Sequence, residues 1–283
     1  MSENRLTGSD KEYWHRYLPL YEKELSKLKR CDRILEFGIF KGDSVRWLID
    51  KYPNAKIFAS DILPVQPEWP TAPNINYSYV DQGKPETISH VFAGIGTDLD
   101  LIIEDGSHFP EHQKNCLVEG LKHIASGGIY ILEDLHTAHP EHPYYKNGSS
   151  RFIKGLRKKL FRFFDLKIFP ARIFDTLKQK LASRANYIGP LHLLLFLEHI
   201  KSGGKDLDKS MLKDFTYNSL FSPDEVSAIF QKISAIKFYR RSTLPHKCYA
   251  CGSTDFKLHT LKCICGADIY SNADSISVII HIK

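Results

Sequence analysis

No apolar run in the 283-residue sequence reaches the roughly 18–20 residues that a membrane-spanning helix needs. Residues 1–10 lack the apolar core of a secretory leader, so a cytosolic protein is the expectation. Internal repeats and low-complexity tracts are missing as well. With 42% hydrophobic and 25% charged residues, the composition excludes a disordered, collagen-like or repeat chain. Cysteine is too sparse, and the export signal too plainly missing, for a disulfide framework. Of the six cysteines, Cys31 and Cys116 stand alone and read as buried thiols, whereas Cys248, Cys251, Cys263 and Cys265 cluster.

Excess charge is lacking everywhere but one place. The net charge is +6, yet residues 151–184 hold 11 Lys and Arg against Asp165 and Asp175, a local +9 that leaves −3 for the rest. What fills the remainder is an alternation of short apolar runs, at 33–37, 56–60, 75–80, 99–104 and 128–132, with amphipathic stretches at 44–51, 85–92 and 110–124. That pattern predicts an α/β fold, a doubly wound Rossmann-like parallel sheet covered by helices. Upstream, Trp14, Tyr17, Leu18, Tyr21, Leu25 and Leu28 recur at helical spacing, with Pro19 in the first turn of a packing helix. Downstream, a helix is expected at 191–200, and another opens at Ser222 with Asp224 and Glu225 in its first turn. Late strands at 235–239 and 275–282 flank the cysteine cluster. The expected organisation is a helical segment (1–30), a ligand-binding core (31–139), a helical insertion (140–218), and a last helix and strands (219–283) with a four-cysteine insert at 246–268.

Ligands of an open α/β sheet bind outside the carboxyl ends of its strands. The first strand runs into a helix as Glu36-Phe-Gly38-Ile-Phe-Lys-Gly42-Asp-Ser44, glycines allowing a ligand close to the backbone. The second ends in Asp61, placed to grip ribose hydroxyls, and the third in Asp81-Gln82, an acid and an amide able to read an adenine edge. The turn departs from the Gly-x-Gly-x-x-Gly that serves a pyrophosphate and has only Lys41 as a cation. A nucleoside without phosphates fits better, and S-adenosylmethionine is the common one. The fourth strand ends Glu104-Asp105-Gly-Ser-His108 and the fifth Glu133-Asp134. Strands lie about 4.8 Å apart, so Asp105, Glu133 and Asp134 converge above the sheet. Carboxylates so crowded call for a cation, and all-oxygen ligation selects Mg²⁺. His108, three residues beyond Asp105, is placed to take a proton near neutral pH. His136, His139 and, in the loop beyond, Tyr144 read as acceptor-binding; Pro140 and Pro143 keep the histidines from stacking on one helix.

These motifs, from Ile34 through Ser44, Asp61, Asp81-Gln82 and Glu104–His108 to Glu133-Asp134, resemble class I methyltransferases of the macrolide sugar O-methylating type, related to those of cephalosporin biosynthesis. The resemblance covers about half the chain. It implies that Glu36, Gly38, Gly42, Ser44, Asp61, Asp81, Gln82 and Glu104 bind S-adenosylmethionine, that Asp105, Glu133 and Asp134 bind magnesium, and that His108 is the base.

Cys248-Tyr-Ala-Cys251-Gly252 and Cys263-Ile-Cys265-Gly266 form two close pairs, each followed by a glycine that permits a tight turn. Four thiolates predict a closed, structural Zn²⁺ site, a zinc knuckle; free thiols or a redox pair are the alternatives. In the basic segment, Phe152, Phe161, Phe163, Phe164, Phe169 and Phe174 stand among the charges. A lid over the acceptor and a peripheral membrane contact stay open there, and nucleic acid is not favoured; oligomeric state stays open too. The expectation is transfer of a methyl group to a hydroxyl of a sugar or glycan. A small natural product or a phosphorylated sugar is the alternative acceptor, and an RNA-binding module on a methyltransferase fold the alternative of another class.

Overall fold

The structure, a computed structural model, describes residues 9–139, 142, 187–270 and 275–283. Tyr144 and the basic segment 151–184 lie outside the described residues. Five parallel strands follow one another, β1 (Arg33–Phe37), β2 (Lys56–Asp61), β3 (Ile75–Tyr79), β4 (Leu99–Glu104) and β5 (Ile124–Leu132), alternating with α3 (Asp43–Lys51), α4 (Pro85–Ile95) and α5 (Pro110–His123). The short helices α1 (Asp10–Tyr13) and α2 (Leu18–Leu25) precede them. After a 3₁₀ turn (Leu135–Ala138) come α6 (Pro190–Ser202), α7 (Lys209–Thr216), α8 (Pro223–Lys232) and β6 (Ile233–Arg240). The small strands β7 (Phe256–Lys257) and β8 (Lys262–Cys263) form a hairpin before the closing strand β9 (Ile276–Ile282).

Strand order in the main sheet is β3-β2-β1-β4-β5-β9-β6, with β9 antiparallel to both its neighbours. This is the mixed, Rossmann-like arrangement, and its order reverses between β1 and β4, where a crevice opens at the carboxyl ends. The two-residue period of the strands feeds both faces. Leu35, Phe37 and Ile102 join one layer with α4, α5, α6 and α8, while Ile34, Leu101 and Ile103 pack on Tyr21, Trp47 and Leu48 of α2 and α3. β4 lies between β1 and β5 and is buried along its whole length, as a sheet covered on both sides requires. Cys116 is fully buried and Cys31 half-buried.

Two expectations need correction. The helix read from Trp14 to Leu28 is confined to Leu18–Leu25, with Pro19 in its first turn as expected; Trp14 and Tyr17 precede it, because Arg16 takes a left-handed φ of 55° between α1 and α2. The fifth strand, expected at 128–132, starts already at Ile124, and its register to β4 slips between Leu99↔Ile124 and Leu101↔Ile129, a bulge that absorbs the extra residues. The start of α8 follows the sequence closely. Ser222 Oγ accepts from the Glu225 amide at 3.2 Å and Glu225 Oε2 accepts from the Ser222 amide at 2.8 Å, a reciprocal cap. No helix among the described residues is long and apolar enough to cross a membrane.

Candidate active site

The carboxyl ends of β1, β2, β4 and β5 finish level, with Phe37 paired to both Ser60 and Glu104, and Glu104 to Leu132. The next residues, Gly38, Asp61, Asp105 and Glu133, therefore rim one crevice. Gly38 is there because nothing larger fits: its φ is +87° and a Cβ would lie 2.1 Å from the Asp105 carbonyl oxygen. Above it opens a cavity of about 630 Å³ lined by Gly38, Ser44, Asp61, Asp81, Gln82 and Asp105, among others. Six of the residues expected from sequence thus share one wall. Gly42, Glu36 and Glu104 do not line the cavity. Gly42 precedes α3 in a left-handed turn, and the two glutamates are fully buried beneath.

Asp61 keeps the loop in shape: Oδ2 accepts from the Ile39 amide at 2.7 Å and Oδ1 from the Leu63 amide at 2.9 Å. Asp81 is held by Lys84 at 3.0 Å and by the Gly83 amide. The Gln82 side chain is committed to the protein, donating to Glu104 Oε1 at 2.6 Å and accepting from the Ser107 amide at 2.7 Å. Burial pushes the carboxyls of Glu36 and Glu104 up to about 7. Glu104 keeps one oxygen without a hydrogen bond, and Glu36 has only the Ser44 hydroxyl close to its carboxyl. A buried carboxyl in that condition is suited to a cationic or hydroxyl-bearing ligand.

Asp105 belongs both to the cavity wall and to a second cluster. Donor atoms of Asp105, His108 and Asp134 all lie within 4.8 Å of one another. His108 Nε2 is 3.5 Å from Asp134 Oδ2, and its Nδ1 is 4.0 Å from Asp105 Oδ1. That Nδ1 is buried and has no protein hydrogen-bond partner. Two of the three take a left-handed backbone, His108 at φ 57° and Asp134 at φ 54°, a strain of about 1–2 kcal/mol per residue that persists only where surroundings impose it. The imposing group is Thr137, whose Oγ1 lies 2.6 Å from the His108 carbonyl oxygen and 2.8 Å from that of Asp134. Asp134 also accepts from Ser275 Oγ, itself bonded to the Tyr17 hydroxyl.

Glu133, expected alongside Asp105 and Asp134 as a ligand, falls outside that three-residue group. Its Oε1 lies 2.5 Å from the Lys11 ammonium and accepts from the Tyr21 hydroxyl, and Lys11 reaches Asp105 Oδ2 at the same 2.5 Å. The physical cause is the same-sign crowding foreseen from sequence, met here by an ammonium from α1. Burial opposes the charge of Lys11, but Asp105 and Glu133 outweigh it and hold its pKa well above the ordinary value. Burial, with mutual repulsion, pushes Glu133 far up, and burial raises Asp105 against the pull of Lys11. Burial also works against Asp134, yet the neighbouring His108 prevails and its carboxyl is lowered. His136 is 3.8 Å from Asp134, and burial drops it to about 4, so it is neutral near pH 7. His139 closes the 3₁₀ turn.

Lys11, Tyr17, Tyr21, Thr137 and Ser275 were not legible as site residues. Tyr17 and Tyr21 gave only a packing periodicity, and Lys11 sits 94 residues from its partner Asp105 in a four-residue helix without a pattern.

The four clustered thiols also converge. Cys248 and Cys265 Sγ are 3.8 Å apart, Cys251 and Cys263 Sγ 3.5 Å, and all four lie within 4.8 Å. None of the cysteines is in a disulfide. A tetrahedron of thiolates about 2.3 Å from a central ion has edges of about 3.8 Å, so the spacing suits one. Gly252 and Gly266 take the left-handed turns expected of them, φ 72° and 92°.

No family model matches the chain. Among curated proteins it is 28% identical over 147 residues to the 8-demethyl-8-(2-methoxy-alpha-L-rhamnosyl)-tetracenomycin-C 3'-O-methyltransferase of Streptomyces olivaceus, covering 44% of this chain and 34% of that one. To the demethylmacrocin O-methyltransferase of Streptomyces fradiae it is 28% identical over 133 residues, 44% of this chain and 33% of the other. The resemblance read from the motifs is thus a similarity to sugar O-methyltransferases. The chain spans about a third of the length of these relatives. Among solved structures, the MycE methyltransferase of the mycinamycin pathway, in complex with Mg, SAH and mycinamycin VI, is similar at 24% identity and TM-score 0.42 over 47% of this chain and 38% of that one, a likeness too low to carry more than that statement.

Proposed function

We propose that the protein is an O-methyltransferase that moves the methyl group of S-adenosylmethionine to a hydroxyl of a sugar or glycan, with Mg²⁺ as a required ion. The observation that carries the reading is the single crevice in which a nucleoside-sized cavity and the Asp105–His108–Asp134 cluster share Asp105. The tetracenomycin relative supports it, since its named substrate carries a rhamnosyl group.

Asp61 and Asp81 would face the amino and ribose groups of the cofactor, with Gly38 letting it approach the backbone, Gln82 holding the rim, and Glu36 and Glu104 lying beneath it. Charge argues for a divalent ion: Asp105, Glu133 and Asp134 carry three negative charges when ionised, Lys11 offsets one, and two are left. Asp105 and Asp134 would hold magnesium, with Glu133 behind them balanced by Lys11. Bound there, the ion would make an acceptor hydroxyl more acidic and fix two adjacent oxygens of the sugar. The rest falls to the chain's own residues. Asp134 orients the His108 ring, and the open Nδ1 takes the hydroxyl proton as the oxygen bonds to the methyl carbon. When bound, S-adenosylmethionine would supply that methyl group, its sulfur keeping the bonding pair as S-adenosylhomocysteine. Charge is lost rather than created, so alignment in a dry cleft supplies most of the acceleration. His136, His139 and Tyr144 would contact the acceptor, and residues 140–218 would shape its site. Zn²⁺ on Cys248, Cys251, Cys263 and Cys265 would be structural, all four positions being taken by protein.

The test is transfer of a labelled methyl group from S-adenosylmethionine to a panel of sugar glycosides bearing adjacent hydroxyls, with magnesium and with excess chelator. Transfer to at least one glycoside, stopped by chelator and restored by magnesium, is expected. Full turnover in chelator would reject the metal's role.

A further inference from the structure

The cysteine hairpin reaches into the cofactor cleft. Tyr249, between Cys248 and Cys251, is 61% exposed yet lines the same cavity as Gly38, Asp61 and Asp105. Its ring lies 6.1 Å from that of Trp14, and Trp14 packs on the small core of Cys248, Cys263 and Ile269. The hairpin stem grips the same stretch of chain. The His246 amide donates to the Tyr13 carbonyl at 2.7 Å, the Lys247 ammonium stands 4.2 Å above the Tyr13 ring, and Arg16 donates to Thr243 Oγ1 at 3.0 Å.

What is gripped is α1, four residues long and far too short to be stable by itself. Its cap Ser9 and, within it, Asp10 and Tyr13 line the cavity, and Lys11 reaches from it to Asp105 and Glu133. The cleft therefore has a fixed wall, made by the sheet, and an applied wall, made by α1 and Tyr249. Behind the Tyr249 part of the applied wall stands the four-thiol cluster, all within one hairpin.

We propose that the four-thiolate hairpin, when it holds its metal, is a positioning element of the cofactor site: it clamps α1 and Tyr249 onto the open side of the cleft. Tyr249 and Tyr13 form an aromatic face for a ligand that is part purine and part sulfonium cation, and the clamp keeps Lys11 seated among the carboxylates. Tyr249 is thus a specificity residue and the metal acts through it. This rests on the readings of the cleft as a nucleoside site and of the thiols as a zinc site.

The experiment is calorimetric titration of S-adenosylhomocysteine into the full chain in four forms, zinc-loaded, stripped of zinc by a thiol reagent and chelator, Tyr249→Ala and Tyr249→Phe, with zinc content and circular dichroism recorded for each. Stripping should weaken binding at least about tenfold while the sheet signal persists, and zinc should restore it. Amides of residues 9–17 should exchange faster in the stripped form. Tyr249→Ala, at an exposed position, should keep one zinc and bind about threefold to tenfold more weakly, the worth of one aromatic contact, while Tyr249→Phe should bind as the parent does. Unchanged affinity in both the stripped protein and Tyr249→Ala overturns the clamp while leaving the cofactor and zinc readings standing. A chain that takes up no zinc overturns it through the thiol reading, and one that binds no S-adenosylhomocysteine in any form overturns it through the cofactor reading.

Discussion

Two places among the described residues gather ligating side chains, and they are built in opposite ways. The acidic centre draws Asp105, His108, Glu133 and Asp134 from the ends of adjacent strands and completes itself with Lys11 from the far N-terminus. It cannot exist without the sheet, and while Glu133 and Lys11 are buried, Asp105, His108 and Asp134 are only partly so. The thiol centre takes all four groups from residues 248–265 of one hairpin, two of them exposed, and needs no strand of the main sheet. The first is a site that the fold makes; the second is a site that makes a small piece of fold. Hard oxygen donors with room for a substrate belong to the first, and a closed set of soft donors to the second.

The contrast breaks first, if it breaks, at His108. His108→Ala should lower methyl transfer by about 10²–10⁴-fold, as expected for loss of a general base, with binding of S-adenosylhomocysteine measured by calorimetry unchanged. A variant that keeps a third of its activity would remove the acidic centre from the chemistry. Thiol replacements act elsewhere, on cofactor affinity and stability.

A second, smaller effect tests how buried the acidic side is. Burial raises Glu36 to about 7 from the ordinary 4.5, so the folded protein holds this proton more tightly than the unfolded chain. The stability that the protonated form contributes is complete below pH 4.5 and is lost as pH rises through 7. Glu36→Gln, which cannot ionise, should therefore gain on the parent by about 3 kcal/mol between pH 4.5 and 7.5, read from urea midpoints. A constant difference across that range would mean that Glu36 is more solvated than its burial implies.

Legibility in the sequence follows the same division. The short apolar runs from Arg33 to Leu132, alternating with amphipathic stretches, placed the parallel strands, because a doubly wound sheet is written in local patterns. Asp105 and Glu133-Asp134 were legible because a strand's carboxyl end is a local feature, and adjacent strands bring such ends together. The cysteine pairs were legible because their geometry closes within 18 residues. Lys11 was not: its partnership with Asp105 and Glu133 is purely tertiary, and nothing near it in sequence carries a pattern. For the same reason Glu133 was expected to face an ion rather than an ammonium. Nor could spacing foresee that Tyr249 would enter the cavity, since that depends on where a hairpin between β6 and β9 comes to rest.

The smallest predicted effect sharpens the claim that the acidic centre is held under strain. Thr137→Val deletes the hydroxyl that ties the left-handed turns at His108 and Asp134. It should lower turnover about fivefold to tenfold, the worth of one hydrogen bond, with little change in KM for S-adenosylmethionine. An equal rise in KM with turnover intact would assign Thr137 to binding instead.

The central claim is that three carboxylates and Lys11 leave a place for one divalent ion, apart from the thiols. Electron paramagnetic resonance with Mn²⁺ as the probe measures this directly, because Mn²⁺ prefers oxygen ligands. One ion per chain should bind to the parent and to Cys265→Ser, and none with comparable affinity to Asp134→Asn. Undiminished Mn²⁺ binding by Asp134→Asn, or its loss in Cys265→Ser alone, would contradict the account.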